Sequence, residues 1–270
     1  MAENLLIANT AEEAVNCKTA GNVYLAGGTE IMRLNSYVDA DSYVSIRKIS
    51  QMRKVTPSVG SVDIGAACTF QEIIDAGSAP DYLKEALHFN ASRTRRNMAT
   101  IGGNIAICRD DSYLVPTLMA AGAELDLLNT NGEIERVTVE GYISGKDKYA
   151  DSLITNIRLS TGGITVKSSR SANTAQSHAR LTASLGFKDG EYSAYAAVKK
   201  LGIVKMGTLM KEMNSDKTLS EDEIVEIVKN DAGIALEDDL LYGGADYRKY
   251  LIGITFALLY EGINNEGGRA

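Results

Sequence analysis

Apolar and polar positions along this chain follow two periods, one typical of strands and one typical of helices. Short apolar or alternating runs between turn residues predict strands at 23–26, 43–46, 62–66, 124–128 and 152–159. Apolar residues at helical spacing, several of them behind a capping hydroxyl, predict helices that begin near residues 11, 70, 81, 114 and 221. Helices and strands therefore alternate through most of the chain.

The pattern changes after residue 162. The stretch 164–195 is small, polar and strand-like, and a hairpin turn is predicted at Lys188-Asp189-Gly190. From residue 219 onward the apolar spacing becomes helical. This change places a domain boundary near residue 162.

The last helix is predicted from about residue 245 to residue 261. Leu251, Ile254 and Leu258, with their neighbours, form the apolar stripe that such a helix needs to pack against a core.

Two glycine pairs with the same surroundings stand out in the first domain. Adjacent glycines let backbone N–H groups approach a ligand without a Cβ in the way. A tight turn between strands is the more common explanation of any single pair, and three further pairs occur in the chain. These two pairs share a pattern that distinguishes them from the others. An apolar residue precedes the two glycines, Thr or Asn follows them, and an aliphatic residue comes one or two positions later. The two segments are Tyr24-Leu25-Ala26-Gly27-Gly28-Thr29-Glu30-Ile31 and Thr100-Ile101-Gly102-Gly103-Asn104.

Composition narrows the function classes. The chain has 270 residues, of which 44% are hydrophobic, and a formal net charge of −7. This acidic balance argues against a nucleic-acid-binding protein, which normally presents a basic face. Arg93, Arg95 and Arg96 form the one dense basic cluster in the sequence; it is either a solvated surface or an anion contact beside the second glycine segment.

The cysteines and histidines point to neither a metal centre nor acid–base catalysis. Cys17, Cys68 and Cys108 lie far apart, with no spacing that suits zinc, an iron–sulfur cluster or a disulfide framework. His88 and His178 are expected to be structural or exposed, because nothing in the sequence places a partner beside them. With no signal peptide and no apolar run long enough for a membrane span, we expect a soluble, cytoplasmic protein without catalytic or metal-binding side chains of its own.

The two glycine segments and their context resemble the FAD-binding (medium) subunits of the molybdenum hydroxylase family, which includes xanthine dehydrogenase, carbon monoxide dehydrogenase and nicotinate dehydrogenase. The resemblance extends over essentially the whole chain, and 75 positions separate Gly27 from Gly102. The sequence segments that carry it are Leu-Ala-Gly-Gly-Thr-Glu-Ile at 25–31, Ile-Gly-Ala-Ala-Cys-Thr at 64–69, Arg-Asn-Met-Ala-Thr-Ile-Gly-Gly-Asn-Ile at 96–105 and Asp-Tyr-Arg-Lys-Tyr-Leu at 246–251.

The resemblance implies an α+β fold in two domains. Residues 1–162 would form a two-lobed FAD-binding domain of the vanillyl-alcohol-oxidase (PCMH) type, with lobes at about 1–55 and 56–162. Residues 163–270 would form a smaller domain of antiparallel sheet and helices, of the carbon monoxide dehydrogenase flavoprotein type. FAD would lie extended between the two domains.

The resemblance also implies which residues bind FAD. Tyr24 to Ile31 would wrap the pyrophosphate, and Thr100 to Asn104 would reach the phosphates and the ribityl chain as a second turn. Lys167 would lie near the flavin ring, where a cation stabilises anionic reduced flavin, and Ile154 would pack beside it. The sequence departs from the family at Tyr113, which aligns with an Asp that holds a ribose hydroxyl; the neighbouring carboxylates that would replace it are Asp110 and Asp111.

In function, the resemblance implies an electron-transfer subunit. It would take electrons from [2Fe–2S] clusters on a small partner subunit and pass them through FAD to NAD⁺ or another acceptor. A separate molybdopterin-binding large subunit would oxidise the substrate, with a purine or another N-heterocycle as the first guess. Two alternatives stay open at this point: a stand-alone flavin oxidoreductase, and a non-catalytic scaffold whose flavin site has decayed.

Overall fold

The structure is a computed structural model that describes residues 4–19, 21–33, 40–174 and 177–266. Contacts divide the chain into two compact units. Unit 1 comprises Met1–Ile107 and Gly122–Gly162, and unit 2 comprises Cys108–Ala121 and Gly163–Ala270.

Unit 1 begins with a small parallel sheet. Its strands are β1 (Asn4–Ile7), β2 (Asn22–Leu25) and β3 (Ser42–Ser45), in the order β1-β3-β2. Helix α1 (Ala11–Asn16) connects β1 to β2, and the Thr10 side chain accepts a hydrogen bond from the third residue of the helix. Since all three strands run in one direction, the loops that leave them meet at one edge, where ligands of parallel sheets bind.

The second sheet of unit 1 is antiparallel, in the order β4-β5-β8-β6-β7. Alternate side chains of its central strands are buried in the core, as the alternating sequence predicts. The opposite face carries charge pairs between neighbouring strands, such as Arg158 with Asp63 at 2.8 Å. The strands are β4 (Val55–Ser58), β5 (Ser61–Gly65), β6 (Glu124–Leu128), β7 (Ile134–Thr138) and β8 (Leu153–Ser160).

Short helices connect these strands. Helix α2 begins with a reciprocal capping box, in which Thr69 and Glu72 satisfy each other's backbone N–H groups. The helical segments between residues 50 and 144 are a 3-10 turn (Ser50–Arg53), α2 (Phe70–Asp75), α3 (Asp81–Asn90), α4 (Arg93–Arg96), α5 (Ile101–Ile107), α6 (Leu114–Ala120) and α7 (Val139–Ser144).

Unit 2 is an antiparallel sheet with helices on both faces. Its strands, in the order β12-β11-β10-β9, are β9 (Ile164–Ser171), β10 (Leu181–Lys188), β11 (Glu191–Val198) and β12 (Gly202–Lys205). One face of β10 packs against α10 through side chains such as Leu185 and Phe256. The helices that follow are α8 (Gly207–Met213), α9 (Glu221–Asn230) and α10 (Ala245–Asn265).

Helix α6 covers the other face of this sheet. At Gly186 the backbone of β10 approaches so closely that a Cβ would overlap the Ala120 carbonyl group. The Ser193 hydroxyl donates to the same carbonyl oxygen at 2.8 Å. This packing explains why residues 108–121 belong to unit 2, whereas the sequence-based division placed them in the first domain.

The α+β fold and the strands and helices predicted from periodicity are confirmed, including the hairpin at residues 188–190. The apolar stripe of the last helix is confirmed in part, since Leu251 packs half-buried against the core of unit 2. Leu258 is 59% exposed, whereas Ile252, Phe256 and Ile263 are buried. Helix α10 is apolar on several sides, so periodicity alone could not identify the side that faces the sheet.

None of the helices in the described ranges is both long and apolar enough to cross a membrane.

The capping box of α2 gives a stability prediction. Thr69→Ala removes the side-chain acceptor for the Glu72 N–H, so the free energy of unfolding should fall by about 1 kcal/mol. Urea denaturation measures this change. Thr69→Asn is the matched control, because Asn caps helices as well as Thr. Equal denaturation midpoints for the Ala variant and the parent protein would contradict the assignment.

Candidate functional site

The first glycine segment is a loop at the carboxyl edge of the parallel sheet. Strand β2 ends at Leu25, and its carbonyl oxygen accepts a hydrogen bond from Ile46 at 3.1 Å. Gly28 has φ +70°, a left-handed conformation that residues with a Cβ adopt only at a cost. The chain then turns, with the Met32 N–H donating to the Gly28 carbonyl oxygen at 3.0 Å.

Three consecutive N–H groups of this loop carry the argument for a ligand. Within the described ranges, those of Gly27, Gly28 and Thr29 donate to no acceptor, although Gly27 is buried and the other two are half-buried. Buried backbone N–H groups are almost always paired. Successive N–H groups in such a turn form a concave site for an anion.

The second glycine segment is the start of a helix and not the turn that the sequence predicted. Thr100 precedes α5, and its side chain accepts a hydrogen bond from the Gly103 N–H at 3.2 Å. The Asn104 N–H donates to the Thr100 carbonyl oxygen at 3.0 Å. A glycine pair after a strand-like apolar run is typical of turns as well as of helix starts, so the sequence alone did not distinguish a turn from a helix start.

The start of α5 is fixed by the strand-to-helix step at residues 64–69. The Ile101 N–H donates to the Cys68 carbonyl oxygen at 3.1 Å, and the Gly102 N–H donates to the Ala66 carbonyl oxygen at 2.9 Å. A Cβ on Gly102 would lie 2.7 Å from the Ala66 Cβ. The first four N–H groups of α5 are therefore all satisfied within the chain.

The first glycine segment packs against the residues that directly precede the second segment. A Cβ on Gly27 would overlap the Met98 carbonyl oxygen and lie 2.8 Å from its carbonyl carbon, and a Cβ on Gly103 would lie 4.0 Å from the Ala26 Cβ. Glycine is needed at 27 and at 102 because the backbone approaches the chain itself. The predicted convergence of the two segments is thus present within unit 1.

The basic cluster beside α5 divides into two kinds of residue. Arg96 is structural: its Nε donates to the Gln71 side chain at 3.2 Å, and its guanidinium also donates to the Ala91 carbonyl oxygen at 3.0 Å. Arg93 and Arg95 are exposed. Arg96 therefore links α2 to α4, whereas Arg93 and Arg95 form a solvated surface.

The other candidate residues of unit 1 lie around the loop or in the core. The Tyr24 hydroxyl donates to the Asp151 carbonyl oxygen at 3.2 Å, and burial raises its pKa. Glu30 forms an ion pair with Arg33 at 2.5 Å. Ile154, on β8, is 6% exposed and lies within the core.

The remaining candidates belong to unit 2. Lys167, on β9, forms an ion pair with Glu266 at 2.8 Å. Asp110 accepts from the Lys199 ammonium group at 2.6 Å and from the Lys200 N–H at 2.9 Å. Tyr113 is 3% exposed, and its hydroxyl donates to the Ser168 carbonyl oxygen at 3.0 Å, so this departure from the family pattern serves the core of unit 2.

Three side chains hold Asp111: Arg109, Lys199 and His178. Arg109 binds it with two hydrogen bonds of 2.7 and 2.9 Å, the His178 Nδ1 lies at 2.8 Å and the Lys199 Nζ at 3.5 Å. Burial acts to raise the pKa of this carboxyl, but the hydrogen bonds and charge of Arg109, with the charges of Lys199 and His178, lower it to about 2.

Sequence reasoning missed Arg109, Lys199 and His178 as partners of Asp111. Arg109 could have been predicted as a partner from the sequence, because it lies only two residues before Asp111. The other two are far away in sequence, and the sheet of unit 2 alone brings them to Asp111.

Comparison with known families identifies the protein class. Residues 2–161 match the model of the FAD-binding domain in molybdopterin dehydrogenase. The chain therefore belongs to this family of FAD-binding domains, and FAD is its cofactor.

Curated relatives agree with the family. The uncharacterized protein YgfM of Escherichia coli (strain K12) is 27% identical over the full length of both chains. Indole-3-acetaldehyde oxidase of Arabidopsis thaliana is 25% identical over 53% of this chain, which matches 12% of that much longer protein. Xanthine dehydrogenase 1 of Arabidopsis thaliana is 26% identical over 46% of this chain and 10% of its own length.

Solved structures share the fold over nearly the whole chain. A chain of carbon monoxide dehydrogenase from Hydrogenophaga pseudoflava superposes with a TM-score of 0.81 at 17% identity, covering 96% of this chain and 97% of that one. A chain of quinoline 2-oxidoreductase from Pseudomonas putida 86 gives 0.79 at 16% identity, covering 97% and 98%.

The loop after β2 fits a dinucleotide that carries a pyrophosphate. At the carboxyl edge of a parallel sheet it offers the N–H groups of Gly27, Gly28 and Thr29, which have no acceptor within the ranges that the structure describes. The hydroxyl of Thr29 adds a further hydrogen-bonding group of the kind that phosphates accept from.

The left-handed Gly28 gives a prediction for FAD binding. Gly28→Val should lower FAD occupancy of the purified protein at least tenfold, because a β-branched residue at φ +70° displaces the loop. The flavin-to-protein absorbance ratio measures occupancy. Gly60→Val is the matched control: Gly60 has φ +74°, lies in the turn between β4 and β5, and has no atom within 4 Å of its Cβ position. Equal FAD loss in both variants would show a general folding defect instead.

The Asp111 ion pairs give a pH prediction. The folded-state pKa of about 2 lies below the ordinary 3.8, so the pairs stabilise the fold at neutral pH and this stabilisation is lost as the pH falls from 4 towards 2. The pH-dependent contribution of Asp111 to the free energy of unfolding amounts to about 2 kcal/mol. We expect the difference in unfolding free energy between the parent and Asp111→Asn to shrink by this amount over that interval, measured by urea denaturation. A difference independent of pH would contradict the assignment.

Proposed function

We propose that this chain is the FAD-binding electron-transfer subunit of a molybdopterin-dependent hydroxylase or dehydrogenase complex. It takes electrons from [2Fe–2S] clusters on a partner subunit and passes them, through FAD, to NAD⁺ or another acceptor. The observation that supports the proposal is the loop at Gly27-Gly28-Thr29, whose N–H groups have no acceptor among the described residues.

The chain's own residues bind and position the cofactor. Three N–H groups of the first glycine segment hold the pyrophosphate in place of water. Gly103, whose Cβ position lies 4.0 Å from the Ala26 side chain, leaves the adjoining surface of α5 open to the extended cofactor. Thr100 and Asn104 flank that surface. FAD, when bound, supplies the one- and two-electron redox chemistry.

The substrate chemistry belongs to a partner in this proposal. The carbon monoxide dehydrogenase and xanthine dehydrogenase among the similar proteins are oxidoreductases, and a molybdenum cofactor is named for the former. We propose a xanthine- or purine-type substrate for the complex. Relatives of similar identity include aldehyde oxidases, so the substrate test below includes an aldehyde.

The alternatives make different demands on the site. A scaffold whose flavin site had decayed would not need a left-handed glycine beside three N–H groups that lack an acceptor in the described part of the chain. A stand-alone flavin oxidoreductase would turn over a substrate without any partner. These differences separate the three functions experimentally.

The test is purification of the tagged chain from its native cells, followed by metal and flavin analysis. We expect a yellow complex with about one FAD per chain, together with molybdenum and iron on co-purifying subunits. The complex should reduce NAD⁺ or a dye acceptor with a purine and less well with an aldehyde. A yellow chain that purifies alone and oxidises a substrate by itself would establish the stand-alone enzyme. A colourless chain that does not take up FAD would establish the scaffold.

A further inference from the structure

Two apolar side chains line the side of Gly28 on which a Cβ would stand. The Leu25 Cδ1 lies 3.4 Å and the Met32 Cγ lies 3.6 Å from that Cβ position. Apart from the sequence neighbours of Gly28, the described part of the chain places no other heavy atom within 4 Å of it. The central residue of the loop after β2 therefore has an apolar flank.

Hydrogen bonds of the backbone hold Met32 in this position. Its N–H donates to the Gly28 carbonyl oxygen at 3.0 Å, and the next N–H, that of Arg33, donates to the Glu30 carbonyl oxygen at 3.2 Å. These two bonds close the turn that follows the glycines. The fold of the loop itself thus sets the place of Met32 beside Gly28, one residue beyond Ile31, where the segment assigned from the sequence ended.

Met32 is also accessible from solvent, since it is 64% exposed, whereas Leu25 is half-buried. Single exposed apolar side chains are common on protein surfaces and need no explanation of their own. Met32 differs from them because it lies against a loop in which the N–H groups of Gly27, Gly28 and Thr29 find no acceptor within the described ranges. A ligand that binds these donors has an exposed thioether side chain next to it.

Backbone donors beside an apolar side chain suit a ligand with two chemically different parts. Sites for small molecules are mostly apolar and contain a few polar groups that fix the orientation of the ligand. A bare phosphate or pyrophosphate gains from the N–H groups alone. An aromatic ring that is joined to the phosphates gains from both parts, because a thioether makes favourable contacts with aromatic rings.

We propose that Met32, together with Leu25, is an apolar contact for an aromatic ring of the bound dinucleotide, and that Met32 makes this loop selective for a nucleotide over a bare oxyanion. The adenine and the isoalloxazine ring of FAD share the chemistry that such a contact recognises. The inference rests on the FAD-binding part of the proposed function and adds to it a residue that determines specificity.

The test compares ligand affinities of the full-length protein after its FAD has been removed. Flavin fluorescence reports the binding of added FAD, and competition against FAD gives the affinities of ADP, FMN and inorganic pyrophosphate. We expect Met32→Ser to weaken the binding of FAD about fivefold, to weaken ADP or FMN to the same extent, and to leave pyrophosphate within about twofold of the parent. Weakening of ADP identifies adenine as the ring, weakening of FMN identifies the isoalloxazine, and weakening of both shows that either ring occupies the contact.

Two further variants control for side-chain chemistry and for position. Met32→Leu keeps an apolar side chain of similar size, so its FAD affinity should stay within about twofold of the parent. Val59→Ser also replaces an exposed apolar residue by Ser, but Val59 lies in the turn between β4 and β5. It should leave all four affinities unchanged. Urea denaturation of Met32→Ser should give the midpoint of the parent, because this side chain is exposed.

Four results would overturn the proposal: unchanged FAD affinity in Met32→Ser, an equal loss in Met32→Leu or Val59→Ser, an equal loss for pyrophosphate, which would indicate a displaced loop, or no competition between pyrophosphate and FAD in the parent. A parent protein that binds no FAD would overturn the proposed function and this inference together. Intact FAD binding with any of the four results overturns the inference alone.

Discussion

The close approach of the Gly27 backbone to the Met98 carbonyl group is the contact on which the candidate site depends. Through this contact the loop after β2 packs against the residues just before α5, and no residue with a side chain fits at position 27. The same helix start is tied to the strand-to-helix step by the N–H groups of Ile101 and Gly102. Once these contacts form, the loop is fixed and the N–H groups of Gly27, Gly28 and Thr29 have no acceptor within the described chain. A turn with this geometry is stable when an anion occupies it.

The two glycine segments therefore have different roles. The first segment supplies donors, and its glycines permit a left-handed turn and a backbone contact. In the second segment, the N–H groups are hydrogen-bonded within the chain. This segment contributes instead a helix surface on which Gly103 carries no side chain. Unit 2 holds its own carboxylates internally: Arg109 and Lys199 pair with Asp111, and Lys199 also pairs with Asp110.

Local sequence signals predicted the fold well, because capping residues, strand alternation and turn residues act over a few positions. Thr69, Ser220 and the turn at residues 188–190 are examples. Local signals did not identify what distant packing decides. The buried side of α10 is set by the sheet beneath it, and the segment 108–121 joins unit 2 because α6 packs on Gly186. Likewise, the glycine motifs located the candidate site, but Lys199 and Lys200, which pair with Asp110, lie in a turn about 90 residues further along the chain.

Amide hydrogen exchange of the full-length protein, with and without FAD, tests the central claim most directly. The N–H groups of Gly27, Gly28 and Thr29 are unpaired in the described chain, so they should exchange rapidly in the FAD-free protein and become strongly protected when FAD is added back. The Gly102 N–H, which is already bonded to Ala66, should be protected in both states. Unchanged exchange at residues 27–29 upon full reconstitution with FAD would contradict the account.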